Sequence, residues 1–225
     1  MKILVLTDIH GKHEAVSKLL AGIKTDYDMV LCAGDLTDMY DIPQGFSQMN
    51  IADLVIQKLA AQGKPVLCIP GNHDPFEILE LFDDYGINLH GKHRKVLRVN
   101  FVGFGGASTP FNTLFEPTEE EIVGGLRKSA KTGEDFVLVV HMPPKDTKTD
   151  LITEGKHVGS RAIRDFILES RPVAAVSGHI HESQAIDRLG KTQLINPGPA
   201  FQGNYGIIEI KGGEAACEIR KAKTT

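Results

Sequence analysis

Cysteine is scarce, with only Cys32, Cys68 and Cys217 among 225 residues. An odd number argues against a disulfide framework, and the spacing matches no zinc pattern. Cys32 and Cys68 sit inside apolar runs and Cys217 in a terminal strand-like segment, so all three read as small core residues of a reducing compartment. No apolar stretch approaches the roughly 20 residues that a membrane-spanning helix needs. The opening Met1-Lys2-Ile3-Leu4 runs straight into a strand-like segment rather than a signal peptide, so a cytoplasmic location is expected. Neither sign of charge dominates: 25 Lys and Arg stand against 29 Asp and Glu, a net charge of -4. That disfavours sequence-blind nucleic-acid binding, which wants a basic face. It leaves small phosphorylated substrates open, because bound cations would supply local positive charge. Repeats, low-complexity tracts and long linkers are missing as well. The length fits one α/β domain over residues 1–225 better than two, with homo-oligomerisation left open.

What is present is a series of short apolar runs, at 3–6, 29–33, 66–69, 136–140 and 173–176. Continuous β-branched runs of this length suit strands buried on both faces, as in a mainly parallel sheet. Helical patterns lie between them at 13–23, 48–61, 76–85, 119–131 and 160–169, and Thr118 with Glu121 reads as a capping box. Residues 87–105 read as two short strands, and 184–220 as consecutive strands with turns at Gly190 and Gly212-Gly213. Two irregular stretches, 36–47 and 107–117, are candidates for substrate-binding surface.

Each of the five apolar runs ends in potential metal ligands: Thr7-Asp8-Ile9-His10, Gly34-Asp35, Gly71-Asn72-His73-Asp74, His141, and Gly178-His179-Ile180-His181. Ligands in open α/β sheets bind beyond the carboxyl ends of the strands, so five aligned strands would deliver these groups to one edge. Asp8 and His10 are two apart, as are His179 and His181; in an extended segment each pair points the same way. The glycines before Asp35, Asn72 and His179 permit unusual backbone angles and keep bulk away. Carboxylate, amide and imidazole donors without thiolate suit borderline divalent metals such as Mn, Fe, Zn, Co or Ni, with Mn first among them in vitro.

These motifs, in this order, resemble the signature of the calcineurin-like metallophosphoesterase superfamily. The resemblance implies a four-layer αββα sandwich, with two mixed central sheets flanked by helices. It places Asp8, His10, Asp35 and His181 on one metal, and Asp35, Asn72, His141 and His179 on the other, with Asp35 bridging. It makes His73 the non-ligand histidine that acts on the leaving group, and Asp74 the residue that orients it. The activity implied is phosphoester hydrolysis, with a metal-bridged hydroxide as nucleophile. A compact chain with short loops leans toward a small phosphodiester. The alternatives are a phosphomonoesterase, a protein phosphatase, or a non-catalytic scaffold of the same fold. An intact His73 speaks for an enzyme.

The remaining histidines read blandly. His13 begins a solvated helix, and His90 and His93 flank a surface turn. His157 lies in a helix entry capped by Ser160, the alternative being a loop that reaches phosphate. Thr109, Phe111 and Asn112 could close one side of the site. Arg161 and Arg164 read as solvated helix charges that could bind an anion.

Overall fold

The computed structural model describes residues 1–131 and 133–222. Its first strand, β1 (Lys2–Leu6), already serves two cores. Ile3 and Val5 face one way and Leu4 and Leu6 the other, and all four are fully buried. The chain continues through α1 (His13–Gly22), β2 (Met29–Ala33), α2 (Gln48–Ala60), β3 (Val66–Ile69) and α3 (Ile78–Asp84). Then come β4 (Lys92–Val96), β5 (Val99–Phe104), α4 (Glu119–Ser129), β6 (Phe136–Val140), α5 (Arg161–Ser170) and β7 (Ala174–Val176). The described part ends with β8 (Ala185–Leu189), β9 (Thr192–Asn196), β10 (Asn204–Lys211) and β11 (Glu214–Lys221).

The strands form two mixed sheets, ordered β11-β10-β1-β2-β3 and β4-β5-β6-β7-β9-β8. Ile3, Val5 and Leu31 of the first sheet pack against Val137, Val139 and Val176 of the second. The other face of the first sheet, with Leu4, Leu6 and Val30, is covered by Val16 and Leu19 of α1 and Val55 and Leu59 of α2. On the far side, Leu138 and Val140 meet Ile122 and Leu126 of α4 and Ile163 and Phe166 of α5. Helices, sheet, sheet and helices therefore stack as an αββα sandwich. No helix among the described residues is long and apolar enough to cross a membrane.

The five ligand-bearing strands do not share one sheet. β1, β2 and β3 are parallel neighbours in the first, and β6 and β7 in the second. Burial on both faces looks the same in sequence whether the cover is a helix or a second sheet. The tail divides likewise: β8 and β9 pair in the second sheet, while β10 crosses to lie antiparallel to β1. β10 can do this because Ile208 enters the inter-sheet core and Ile207 the helix-covered one.

Element ends follow local chemistry. Thr118 accepts from the Glu121 amide at 3.2 Å, and Glu121 accepts in return from the Thr118 amide at 2.8 Å, closing the expected box on α4. Ser47 and Asn50 make a second one on α2. The helix expected from 76 starts two residues later, because Phe76 turns aside to stack on Phe115 at 4.2 Å.

His90 and His93 are half-buried rather than surface residues. His90 Nδ1 accepts the Gly105 amide proton at 3.0 Å, and its ring lies 4.2 Å from Phe104. Burial, with Lys92 nearby, pushes this imidazole down to about 4 from 6.5. Since the folded value lies below the unfolded one, the stabilisation is complete above pH 6.5 and is lost as pH falls toward 4. The loss amounts to about 3 kcal/mol at most. Urea titrations between pH 7 and 4 should show His90→Gln losing less stability on acidification than the parent. Equal slopes would refute the assignment.

Candidate metal centre

The turns leaving the strands are strained where the candidate ligands sit. Asp8, His10, Asp35 and His179 all have positive φ, at 52°, 48°, 51° and 66°. Non-glycine residues rarely adopt this region, and such strain collects at functional sites. Asp8 and His10 are thus not part of an extended segment. They converge because the chain coils after β1 and is stitched to the turn after β2. Asp8 N donates to Gly34 O at 3.0 Å, and Ile9 N and His10 N to Asp35 O at 2.8 and 3.0 Å. Of the three glycines singled out, only Gly34 has positive φ, at 102°. Gly71 and Gly178 are required by proximity instead. A β-carbon on Gly71 would collide with the Asp35 backbone and carboxylate, and one on Gly178 would lie 2.6 Å from Asp8 Oδ2.

The candidate side chains form two donor groups. In the first, His10 Nε2 is 3.1 Å from His181 Nε2 and 3.6 Å from Asp35 Oδ2, and His181 Nε2 is 3.4 Å from Asp8 Oδ1. In the second, His141 Nε2 is 3.2 Å from Asp35 Oδ2 and 3.1 Å from Asn72 Oδ1, and His179 Nδ1 is 2.8 Å from Asn72 Oδ1. Asp35 Oδ2 belongs to both. Its other oxygen is fixed by the His73 amide at 2.8 Å. Ligands about 2.1 Å from a common ion stand roughly 3.0–3.4 Å apart, so this spacing suits two cations sharing one carboxylate. A buried Asp8 Oδ2 without a hydrogen-bond partner fits the same chemistry.

Neighbouring groups aim the donors. Ala33 O lies 2.8 Å from His141 Nδ1, which places the proton there and leaves Nε2 free to ligate. Asn72 Nδ2 donates to Thr113 Oγ1 at 3.2 Å, turning its oxygen toward the two histidines. Thr113 in turn donates to Glu116 at 2.7 Å. Sequence reasoning passed over Thr113 and Glu116; a hydroxyl and a carboxylate in the 107–117 loop were the available signal.

Electrostatics reflect the crowding. Burial disfavours ionised Asp35, yet the charge and hydrogen bond of His141 hold its carboxyl below the ordinary range. Burial also opposes a charge on His141, but Asp35 overrides it and raises that imidazole to about 9. Burial and the His141 charge push His179 down to about 4. Asp8 is held low against burial by its bond to His181.

His73 and Asp74 part company. Asp74 is fully buried and accepts the amides of Gly71, Leu36 and Thr37 at 2.8, 3.1 and 2.8 Å, plus the Thr37 hydroxyl at 2.8 Å. Burial and the Asp35 charge raise it to about 6. Its carboxylate is consumed in clamping two turns together, so it does not orient His73. The group facing His73 is Asp38, whose Oδ1 lies 3.5 Å from His73 Nδ1 and whose Oδ2 lies 3.4 Å from His10 Nδ1. The only sequence signal for Asp38 was its place as one of two acidic residues, with Asp41, in the 36–47 loop.

The donors open into a cavity of about 670 Å³, also lined by Lys12, Asp38, Tyr40, Phe111 and Phe201. Phe111 reaches the cavity from the 107–117 loop, with 69% of its surface exposed. Thr109 bonds Glu116, and Asn112 shapes the turn with φ 54°. His157 stays outside this cavity, its Nδ1 2.8 Å from buried Asp150. Ser160 caps α5 by accepting the Ile163 amide at 3.1 Å. Arg164 donates to Lys145 O at 2.8 Å, and neither it nor Arg161 lines the cavity.

A four-layer sandwich with Asp, His and Asn donors at its strand ends defines a metal-dependent phosphoesterase. The chain belongs to the calcineurin-like phosphoesterase family, whose profile matches residues 1–183. It is similar to MJ1162, an uncharacterised protein of Methanocaldococcus jannaschii, with 37% identity over 94% of this chain and 93% of the relative. Among solved structures, the protein TT1561 of Thermus thermophilus superposes with TM-score 0.75 at 16% identity, covering 96% of this chain and 97% of that one. A hypothetical protein of the same organism superposes with TM-score 0.61 at 15% identity, covering 99% and 100%. At these identities the two structures show shared fold. The family is dimetal-dependent, and the donor groups described above could hold such a pair.

Proposed function

We propose that this chain hydrolyses small phosphodiesters. The observation that carries the reading is the Asp35 carboxylate oxygen common to both donor groups, 3.6 Å from His10 Nε2 and 3.2 Å from His141 Nε2. Asp8, His10, Asp35 and His181 would hold one divalent ion, and Asp35, Asn72, His141 and His179 the other. The donor set favours Mn or a similar borderline metal. When bound, the pair supplies Lewis acidity, activating water and neutralising charge on phosphoryl oxygens.

The chain's own groups do the rest. His73 stands at the rim of the donor cluster, where a proton on its ring can pass to the departing oxygen. Asp38, 3.5 Å away, orients that ring. Preference for diesters follows from charge. Among the described residues, Lys12 is the only cationic chain lining the cavity apart from histidines, and it is already paired with Asp41. Asp38 adds a negative charge on the substrate side. A diester brings one negative charge into this setting, and a monoester dianion brings two with no arginine to clamp it.

The test is turnover of bis-p-nitrophenyl phosphate and p-nitrophenyl phosphate by metal-stripped protein, with and without added Mn. Mn-dependent hydrolysis of the diester, exceeding that of the monoester, is expected. Turnover unaffected by metal, or a monoester preference, would overturn the reading.

A further inference from the structure

Asn72 differs from the other candidate ligands in what its side chain offers. It is an amide, whose two ends have nearly the same shape and opposite polarity. Only the oxygen can meet a cation, so something must set which end points inward. Oδ1 does point inward, 3.1 Å from His141 Nε2 and 2.8 Å from His179 Nδ1. The partner at the other end is the Thr113 hydroxyl, 3.2 Å from Nδ2.

A hydroxyl can donate as well as accept, so Thr113 alone does not fix that choice. Its single proton goes elsewhere. Glu116 Oε1 takes it at 2.7 Å, and also accepts from the Thr113 amide at 3.1 Å and from the Thr109 hydroxyl. Burial opposes a charge on Glu116, but the bonds from Thr109 and Thr113 hold its carboxyl below the ordinary range. An ionised carboxylate has no proton to return. The Thr113 oxygen is left with lone pairs toward Asn72, which only the amide nitrogen can answer. The same loop grips the Asn72 backbone, whose carbonyl accepts the Leu114 and Phe115 amides at 3.0 Å each. Among the described residues, no backbone hydrogen bond of the 107–117 loop reaches Asp8, His10, Asp35 or His181.

We propose that Glu116 is a positioning residue for one metal position only. Through Thr113 it fixes the direction of the hydrogen bond that turns Asn72 Oδ1 inward, and so sets the affinity of the position formed by Asp35, Asn72, His141 and His179. The inference rests on the two-ion part of the functional reading and not on the choice of substrate. Without the carboxylate, the Thr113 proton is free to bond Asn72 Oδ1. That turns the amide over and presents its NH2 group to the cation. The position with Asp8, His10 and His181 keeps its own donors.

Equilibrium dialysis of the metal-stripped chain against graded Mn gives the two dissociation constants. Glu116→Ala and Thr113→Val should each weaken one ion about 10- to 100-fold and leave the other as in the parent. Combining them should be no worse than either alone, because the two residues act as one chain. Thr113→Ser, which keeps the hydroxyl, should bind both ions as the parent does. Electron paramagnetic resonance reads the same change independently, as the coupled signal of an ion pair gives way to that of a lone Mn. Two ions bound as tightly in either Glu116→Ala or Thr113→Val as in the parent overturns the positioning role. So does an equal weakening of both ions, or a Thr113→Ser as weak as Thr113→Val. A parent that takes up only one ion overturns the two-ion reading itself, and the role falls with it.

Discussion

Asp35→Ala should empty both metal positions and reduce turnover by about three orders of magnitude or more. Asp35 is 2% exposed and its Oδ2 is the one atom shared by the two donor groups. Losing it removes a ligand from each group and the negative charge that offsets two cations. The change also frees the His73 amide, since Asp35 Oδ1 accepts from it at 2.8 Å. Breaking a buried pair while leaving the other partner costs about 3–5 kcal/mol, so some loss of stability should accompany it. Asp35→Asn separates these effects, because it retains an acceptor for the His73 amide while losing the charge. Elemental analysis after dialysis against Mn should show well under one equivalent per chain for either variant. With Asp35 gone, the His141 imidazole should also titrate well below the value of about 9 that this carboxylate imposes. Full metal content in Asp35→Ala would refute the shared-ligand assignment.

His73→Ala should lower kcat about 10²–10⁴-fold and leave both metals in place. The side chain contributes no atom to either donor group; its charged neighbour is Asp38 at 3.5 Å. The effect should fall on kcat rather than on substrate binding, since a proton delivered to the departing oxygen matters only as the bond breaks. Asp38→Asn should act in the same direction with a smaller loss, about 10- to 100-fold, because it works through the histidine. Combining the two should cost little more than His73→Ala alone, as expected for residues acting as a unit. Another geometry competes with this one: His10, Asp38 and His73 offer atoms within 4.8 Å of one another and could themselves hold an ion. A variant His73→Ala that loses metal along with activity would favour that geometry and defeat the proton-donor role.

The seven candidate ligands were legible along the chain. Asp8, His10, Asp35, Asn72, His141, His179 and His181 each follow an apolar run, and strands buried on both faces must present polar groups at their ends. The capping box at Thr118 and Glu121 was legible for a related reason, since its partners are three residues apart and meet through local geometry. Whatever depends on distance in space rather than along the chain came from packing. It split the ligand strands between two sheets and sent β10 back to β1, choices that a run such as Phe136–Val140 cannot express. It gave His73 the partner Asp38, because the Asp74 side chain turns away into four donors, three of them on Leu36 and Thr37, far off in the chain. It made Gly71 and Gly178 necessary through contacts with Asp35 and Asp8, residues 36 and 170 positions away in the chain. Periodicity reports which faces are buried; only packing reports what buries them, and a candidate metal centre drawn from five strand ends depends on such packing.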